Sequence, residues 1–163
     1  MTSFTKVCQI CLGYARSALI FLSLLVAHTL SNAQLVLVTN EEAALPAAPV
    51  AGRAKRAGVL RGPAIELVTP FSHATIPEVS HFHVKFLPRA EANVDVATVR
   101  VTYVKAPPID LTPRLVPFVS DAGINVAQAK LPVGKHLIQV DASDTQGRAA
   151  SKVFELNVGA IKN

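Results

Sequence analysis

Two histidines stand two residues apart in the run Val79-Ser80-His81-Phe82-His83-Val84-Lys85-Phe86. Side chains alternate between the two faces of a β-strand, so His81 and His83 share one face while the phenylalanines and Val84 face the core. Two imidazoles placed in this way can bind copper or zinc, although a stable site needs further ligands. His73, which precedes this strand, is the nearest additional candidate. The pattern therefore predicts His81, His83 and His73 as metal ligands, with a solvated strand face as the alternative.

The sequence offers few other groups for chemistry. It contains no G-x-S-x-G, no phosphate-binding glycine loop, no H-E-x-x-H and no evident pair of carboxylates lining a cleft. Asp141 and Asp144 flank a turn, but calcium requires about six oxygen ligands or more, and the sequence near this turn supplies too few. We expect Asp144 to cap the turn by accepting a hydrogen bond from the backbone two residues on. The sequence thus predicts a protein that is not an enzyme and needs no cofactor.

The first 33 residues are typical of a secretory signal peptide. Lys6 and Arg16 precede an apolar run over residues 17–27, and Ser31-Asn32-Ala33 places small residues where a signal peptidase cleaves. A retained membrane anchor is the alternative, but Arg16 interrupts any longer apolar window. Cleavage would leave Gln34 as the first residue, would remove both cysteines and would deliver the mature chain to the periplasm or the extracellular space without stable membrane insertion.

Residues 34–62 are rich in alanine and proline and carry no sustained period of 2 or 3.6 residues, so we predict a disordered linker there. From residue 64 to residue 163 the chain has ten basic and nine acidic residues. Because this part is nearly neutral and lacks a basic stripe interleaved with aromatics, the sequence gives no support for nucleic-acid binding.

From Ala64 onward, short alternating runs are separated by turn residues, which predicts an all-β antiparallel sandwich of about seven strands and no helices. In this pattern His136 is in phase with Ile138 and Val140, so we expect its ring to pack inward with a hydrogen bond to the backbone. Prolines at 107, 108, 113 and 117 break the stretch 105–119 into edge-type pieces.

The last part of this pattern resembles bacterial immunoglobulin-like domains. The resemblance rests on Leu131-Pro-Val-Gly134, on the strand that ends in Asp144-Thr-Gln-Gly147, and on the closing Phe154-Glu-Leu-Asn-Val158. Gly62 to Pro70 looks like the first strand of such domains, and Asp95 to Val101 matches the third. The resemblance implies an immunoglobulin-like β-sandwich over residues 63–159, in which His136 stands where an aromatic residue is usual.

The resemblance is specific for fold and leaves function open, because this architecture serves many roles. We expect an exported, non-catalytic module that binds another envelope or surface protein or gives structural support. Binding would use an exposed sheet face or the proline-broken edge at 105–119, where an incoming strand could add. The alternative is a periplasmic copper or zinc carrier that uses His81 and His83. Periplasmic copper carriers are similar small sandwiches, but a histidine that they carry after the serine-aspartate-glycine of the last hairpin is absent here, and Gln34 replaces the histidine that begins their mature chain.

Overall fold

The computed structural model describes residues 34–48, 62–70, 75–89 and 91–159. The predicted signal peptide, residues 1–33, and the linker residues 49–61 lie outside the described residues. The described residues form ten strands, two short α-helices and a 3-10 helix at Val116–Phe118. They are β1 (Leu35–Val36), α1 (Asn40–Ala44), β2 (Ala64–Thr69), β3 (Thr75–Ile76), β4 (Val79–Leu87), β5 (Val94–Tyr103), β6 (Ile109–Asp110), α2 (Thr112–Leu115), β7 (Val119–Ser120), β8 (Gly123–Lys130), β9 (Gly134–Asp144) and β10 (Ala149–Val158).

The strands form two sheets that share one core. Sheet 1 has the order β1-β8-β4-β2, with β7 also paired to β8, and sheet 2 has the order β3-β10-β9-β5-β6. The pairs β1/β8 and β3/β10 are parallel, and the other pairs are antiparallel. A single hydrophobic cluster contains Phe82 and Val84 of sheet 1 together with Ile138 and Phe154 of sheet 2. The prediction of an all-β structure with two packed sheets is confirmed.

The alternating pattern correctly identified which side chains enter the core. Phe82, Val84 and Phe86 of β4 are buried, and so are Ile138 and Val140 of β9. Six strands have six residues or more, against about seven expected from the sequence. Four further strands have only two residues each, which is too short to show an alternating pattern. The expectation of no helices was wrong, because α1 and α2 are too short to show a period of 3.6 residues.

Residues 34–48, which we name the N-terminal strap, are ordered and pack on the sandwich. β1 adds to the edge of β8, with Leu35 opposite Ala129 and Val36 opposite Lys130. Beyond this strand Leu37 is completely buried, and Val38 is buried beside it. The strap therefore contributes both a strand and buried side chains to the sandwich.

An ion pair anchors the helix of the strap. Thr39 and Glu42 form a reciprocal capping box at the start of α1. Arg114 donates through Nη2 to Glu42 Oε1 at 2.6 Å and through Nη1 to Glu42 Oε2 at 2.9 Å, and Nη1 also donates to the Leu37 carbonyl at 2.8 Å. The hydrogen bond from Arg114 is the main cause that lowers the pKa of Glu42 to about 2. Glu42 thus stays ionised and paired at any ordinary pH.

Lys105 holds the other end of the same helix. Its Nζ donates to the carbonyl oxygens of Ala43 at 2.7 Å and Leu45 at 2.8 Å, where the helix leaves carbonyl groups without intrahelical partners. These contacts correct the prediction of a disordered linker over 34–62. Its first fifteen residues are ordered because they bury two apolar side chains and receive two cationic side chains from the sandwich.

One edge of sheet 2 is only partly covered by the described residues. β3 pairs with β10 only at Asn157 and Val158. At the other end, Gly62 lies against β10 so closely that an added Cβ would be 2.5 Å from backbone atoms of Arg148 and Ala149. Between these ends, the alternation along β10 places Lys152 on the same side of the strand as the buried residues Ala150 and Phe154, but its side chain is exposed. An inward-pointing lysine on an edge strand opposes pairing with a further strand.

We expect the strap to contribute substantially to stability. Leu37→Ala should lower the free energy of unfolding by about 2–5 kcal/mol, because it removes a buried side chain and leaves a cavity. The matched change Val36→Ala, at a neighbour that is 46% exposed, should change it by about 0.5 kcal/mol or less. Denaturant unfolding of both variants measures the difference. Equally small effects would show that the sandwich does not depend on the strap.

We also expect Lys152 to keep the β10 edge from pairing with another molecule. Lys152→Val should shift the protein toward dimers or larger species at equal concentration, because the edge would lose its charge and gain a β-branched side chain. Size-exclusion chromatography with light scattering measures this shift. Lys135→Val is the control, since Lys135 lies on β9, which has strands on both sides. The same mass distribution for both variants would contradict the role of Lys152.

Candidate functional site

The solvent side of sheet 1 carries both predicted histidine ligands. On β4 the alternation that buries the core residues directs Val79, His81, His83 and Lys85 to this side. Neighbouring strands contribute the exposed residues Asn125 and Lys130 of β8, Val36 of β1 and Glu66 of β2. We name this surface the outer face of sheet 1.

The histidine pair and Asn125 lie together on this face. The rings of His81 and His83 are stacked, with 5.6 Å between their centroids and 23° between their planes. His83 is directly opposite Asn125 in the ladder between β4 and β8. His81 Nε2 is 2.6 Å from Asn125 Oδ1. The structure therefore brings two imidazoles and one amide oxygen together.

The third predicted ligand, His73, lies outside the described residues. Among the residues that the structure describes, no group of three or more histidine, cysteine, aspartate or glutamate side chains is arranged to hold a metal ion. Among the described residues, His81 and His83 are thus not joined by a third side chain of these four types in an arrangement that could hold a metal ion.

One end of the same face is apolar. Val36, Lys130 and Val79 are adjacent across three strands, and both valines are exposed. Val133, in the turn between β8 and β9, is also exposed and lines a groove of about 520 Å³ together with Val36, Lys130 and Glu78. An exposed apolar patch with a charged border is typical of a surface that contacts another molecule.

His136 is a core residue, as its sequence phase predicted. Its Nε2 donates to the Pro132 carbonyl at 2.7 Å, so Nδ1 accepts from the Tyr103 hydroxyl at 2.8 Å. Burial lowers the pKa of His136, and the nearby positive charge of Lys105 acts in the same direction. The neutral ring is therefore fully hydrogen-bonded, and it belongs to the fold.

Asp144 also has a structural role, because its carboxylate holds the turn between β9 and β10. One carboxylate oxygen accepts from the backbone N–H groups of Gln146 at 3.0 Å and Arg148 at 2.9 Å, and the other accepts from Arg148 Nε at 2.6 Å. Burial alone would raise the pKa of Asp144, but these hydrogen bonds outweigh it and lower the pKa. The predicted cap, two residues on, is confirmed. Asp141 accepts from Gln139 Nε2 with both carboxylate oxygens.

The proline-broken stretch 105–119 crosses from sheet 2 to sheet 1. β6 pairs with β5 and β7 pairs with β8, while Leu111 and Leu115 enter the core between them. At its start the strap already lies alongside it, since Ala47 forms a β-bridge with Lys105 and Ala106 N–H donates to the Pro46 carbonyl at 3.0 Å. At the start of the stretch where we expected an incoming strand to add, residues 105–106 thus already pair with residues 46–47 of the chain itself.

Several features of these sites were missed by sequence reasoning. Asn125 lies far from the histidines in sequence, so only the strand register reveals its position. The hydroxyl of Tyr103, which donates to the buried His136, was also not predicted. Thr39 and Glu42 did carry a signal, because a threonine followed three residues later by glutamate predicts the start of a helix.

Comparisons of the chain with models of protein families, with curated proteins and with solved structures found no match. In the described part of the chain, no helix has both the length and the apolar character needed to cross a membrane.

The buried His136 should make the fold sensitive to mild acid. An unfolded chain binds a proton at histidine near the ordinary pKa of about 6.5, whereas the folded chain has a lower pKa at His136. The free energy of unfolding should therefore fall as the pH decreases below 6.5, by at most about 1.4 kcal/mol per pH unit. Denaturant unfolding at pH 7.5 and 5.5 measures this loss.

His136→Phe should remove this part of the pH dependence, whatever it does to the absolute stability. The control is His81→Gln/His83→Gln, which changes two histidines on the surface and should leave the dependence as in the parent chain. A pH dependence that survives in His136→Phe would place its origin elsewhere.

Proposed function

We propose that this chain is an exported, non-catalytic immunoglobulin-like module that binds another protein of the bacterial envelope or cell surface. The strand order supports the fold part of this proposal. Immunoglobulin constant-type domains pair strands A-B-E-D in one sheet and C-F-G in the other. Taken in chain order, β2-β4-β8-β7 and β5-β9-β10 follow the same two orders. The resemblance of residues 131–158 to the end of bacterial immunoglobulin-like domains supports it independently.

The observation that carries the binding role is the apolar end of the outer face of sheet 1. Val36, Val79 and Val133 are exposed there beside the aliphatic part of Lys130. The groove next to them is bordered by one basic and one acidic residue, Lys130 and Glu78. This surface suits a protein partner with an apolar contact residue and a polar surround, the usual composition of a protein interface.

Two buried polar side chains support the assignment of binding to the surface. Among the described residues, the buried polar or charged ones are His136 and Asp144. Both are hydrogen-bonded to neighbouring parts of the fold. Because His136 and Asp144 use their hydrogen bonds to hold turns and strands, we assign contact with a partner to exposed side chains.

Site-specific photo-crosslinking in the source cells tests the proposal. A photoreactive amino acid at position 79 should cross-link one envelope or surface protein, and the chain recovered from that compartment should begin at Gln34. The matched control is position 153, since Val153 is 36% exposed and Val79 is 39% exposed, but Val153 lies on sheet 2. Val79→Glu should abolish function in the same cells without unfolding the protein.

Equal cross-linking from positions 79 and 153 would contradict the assigned surface. Recovery of the chain with residues 1–33 attached, in the cytosol, would contradict export and with it the proposed role.

A further inference from the structure

A second binding site is suggested by the orientation of His81. Its Nε2 is 2.6 Å from Asn125 Oδ1, and a side-chain amide oxygen only accepts hydrogen bonds. His81 Nε2 must therefore carry the proton and donate it to Asn125. In the neutral ring this leaves Nδ1 of His81 with an unprotonated lone pair, which is the form that binds a metal ion.

Such a hydrogen bond is a regular feature of metal-binding histidines. The nitrogen that does not bind the metal usually donates to an oxygen acceptor, which fixes the tautomer and the orientation of the ring. Asn125 provides this oxygen, and its place directly opposite His83 in the ladder holds it beside the pair. The second imidazole is already at stacking distance, with 5.6 Å between the ring centroids.

The surroundings of the pair are open and nearly neutral. His81 is exposed and held by Asn125, and His83 is partly exposed, so the His83 ring can rotate about its side-chain bonds to direct a nitrogen at an ion bound to His81 Nδ1. Lys85 on the same face is opposite Glu66 in the ladder between β4 and β2, so the two residues contribute opposite charges to this face. The remaining coordination positions of an ion would be open to water.

We propose that His81 and His83 bind one Cu(II) ion on the outer face of sheet 1, with Asn125 as the residue that positions His81. Copper is the expected ion because imidazole sites bind Cu(II) more tightly than the other divalent ions of the first transition row, and because Cu(II) accepts a tetragonal set of nitrogen and oxygen ligands. The site does not depend on the proposed protein-binding role. It would give the alternative predicted from the sequence, a periplasmic copper or zinc carrier, its binding site.

Calorimetric titration of the chain from Gln34 onward tests the proposal, since this chain contains every described residue and lacks Cys8 and Cys11, which would compete for the metal. Cu(II) should bind with a Kd below about 10 µM, and Zn(II) should bind more weakly. His81→Ala/His83→Ala should weaken Cu(II) binding by about tenfold or more, with an unchanged unfolding midpoint because both side chains are on the surface. Lys85→Ala is the control on the same face and should not weaken binding.

Asn125 provides the sharper test. Asn125→Ala should weaken Cu(II) binding by about tenfold, within the range of about 10–100-fold for lost outer partners, and Asn125→Asp should restore it because a carboxylate also accepts from Nε2–H. The electron paramagnetic resonance spectrum of the bound Cu(II) should show nitrogen coupling from two imidazoles, which the double variant lacks. A Kd above 10 µM that the histidine changes leave unaltered would overturn the site. Equal binding by Asn125→Ala and the parent chain would overturn the role of Asn125.

Discussion

The strap closes over the sandwich through the burial of Leu37 and Val38 together with the pairing of Glu42 with Arg114. Arg114 lies in α2, within the stretch that crosses from sheet 2 to sheet 1, and Glu42 lies in α1, which follows β1 of sheet 1. Their bidentate contact fixes α1 and, through the Leu37 carbonyl, the two buried residues that follow β1. Because the chain from Gln34 onward has no cysteine, this closure relies on packing and charge where a small exported domain often uses a disulfide.

The strap also connects polar groups that are far apart in sequence. Lys105 receives the end of α1 and lies 5.3 Å from the centre of the Tyr103 ring. Tyr103 in turn donates to His136, which donates to the turn at Pro132. These contacts form a continuous line from the strap through sheet 2 to the β8–β9 turn, beside the apolar end of the outer face of sheet 1. The strap and the turn at the edge of the proposed binding surface are thus linked by direct contacts.

The sequence predicts those parts of this structure that follow from local alternation. The core faces of β4, β9 and β10, the inward position of His136 and the capping role of Asp144 follow from strand phase or turn chemistry. Features that depend on long-range register could not be predicted, and Asn125 beside His81 is the clearest case, since a register shift between Ser80 and Phe82 sets their relative position. The order of the strap was not predicted for another reason. Its two buried residues, Leu37 and Val38, adjoin a segment rich in alanine and proline, and that composition led to the prediction of a disordered linker.

The parallel pairing of β1 with β8 has a consequence for the order of events during synthesis. The strap leads the described chain, whereas its partners Ala129 and Lys130 lie close to its far end. Contacts between such distant segments form late and slow the folding of a domain. During synthesis from the N-terminus, β1 therefore has no partner until β8 has been made, and the strap cannot complete its contacts with the core before then.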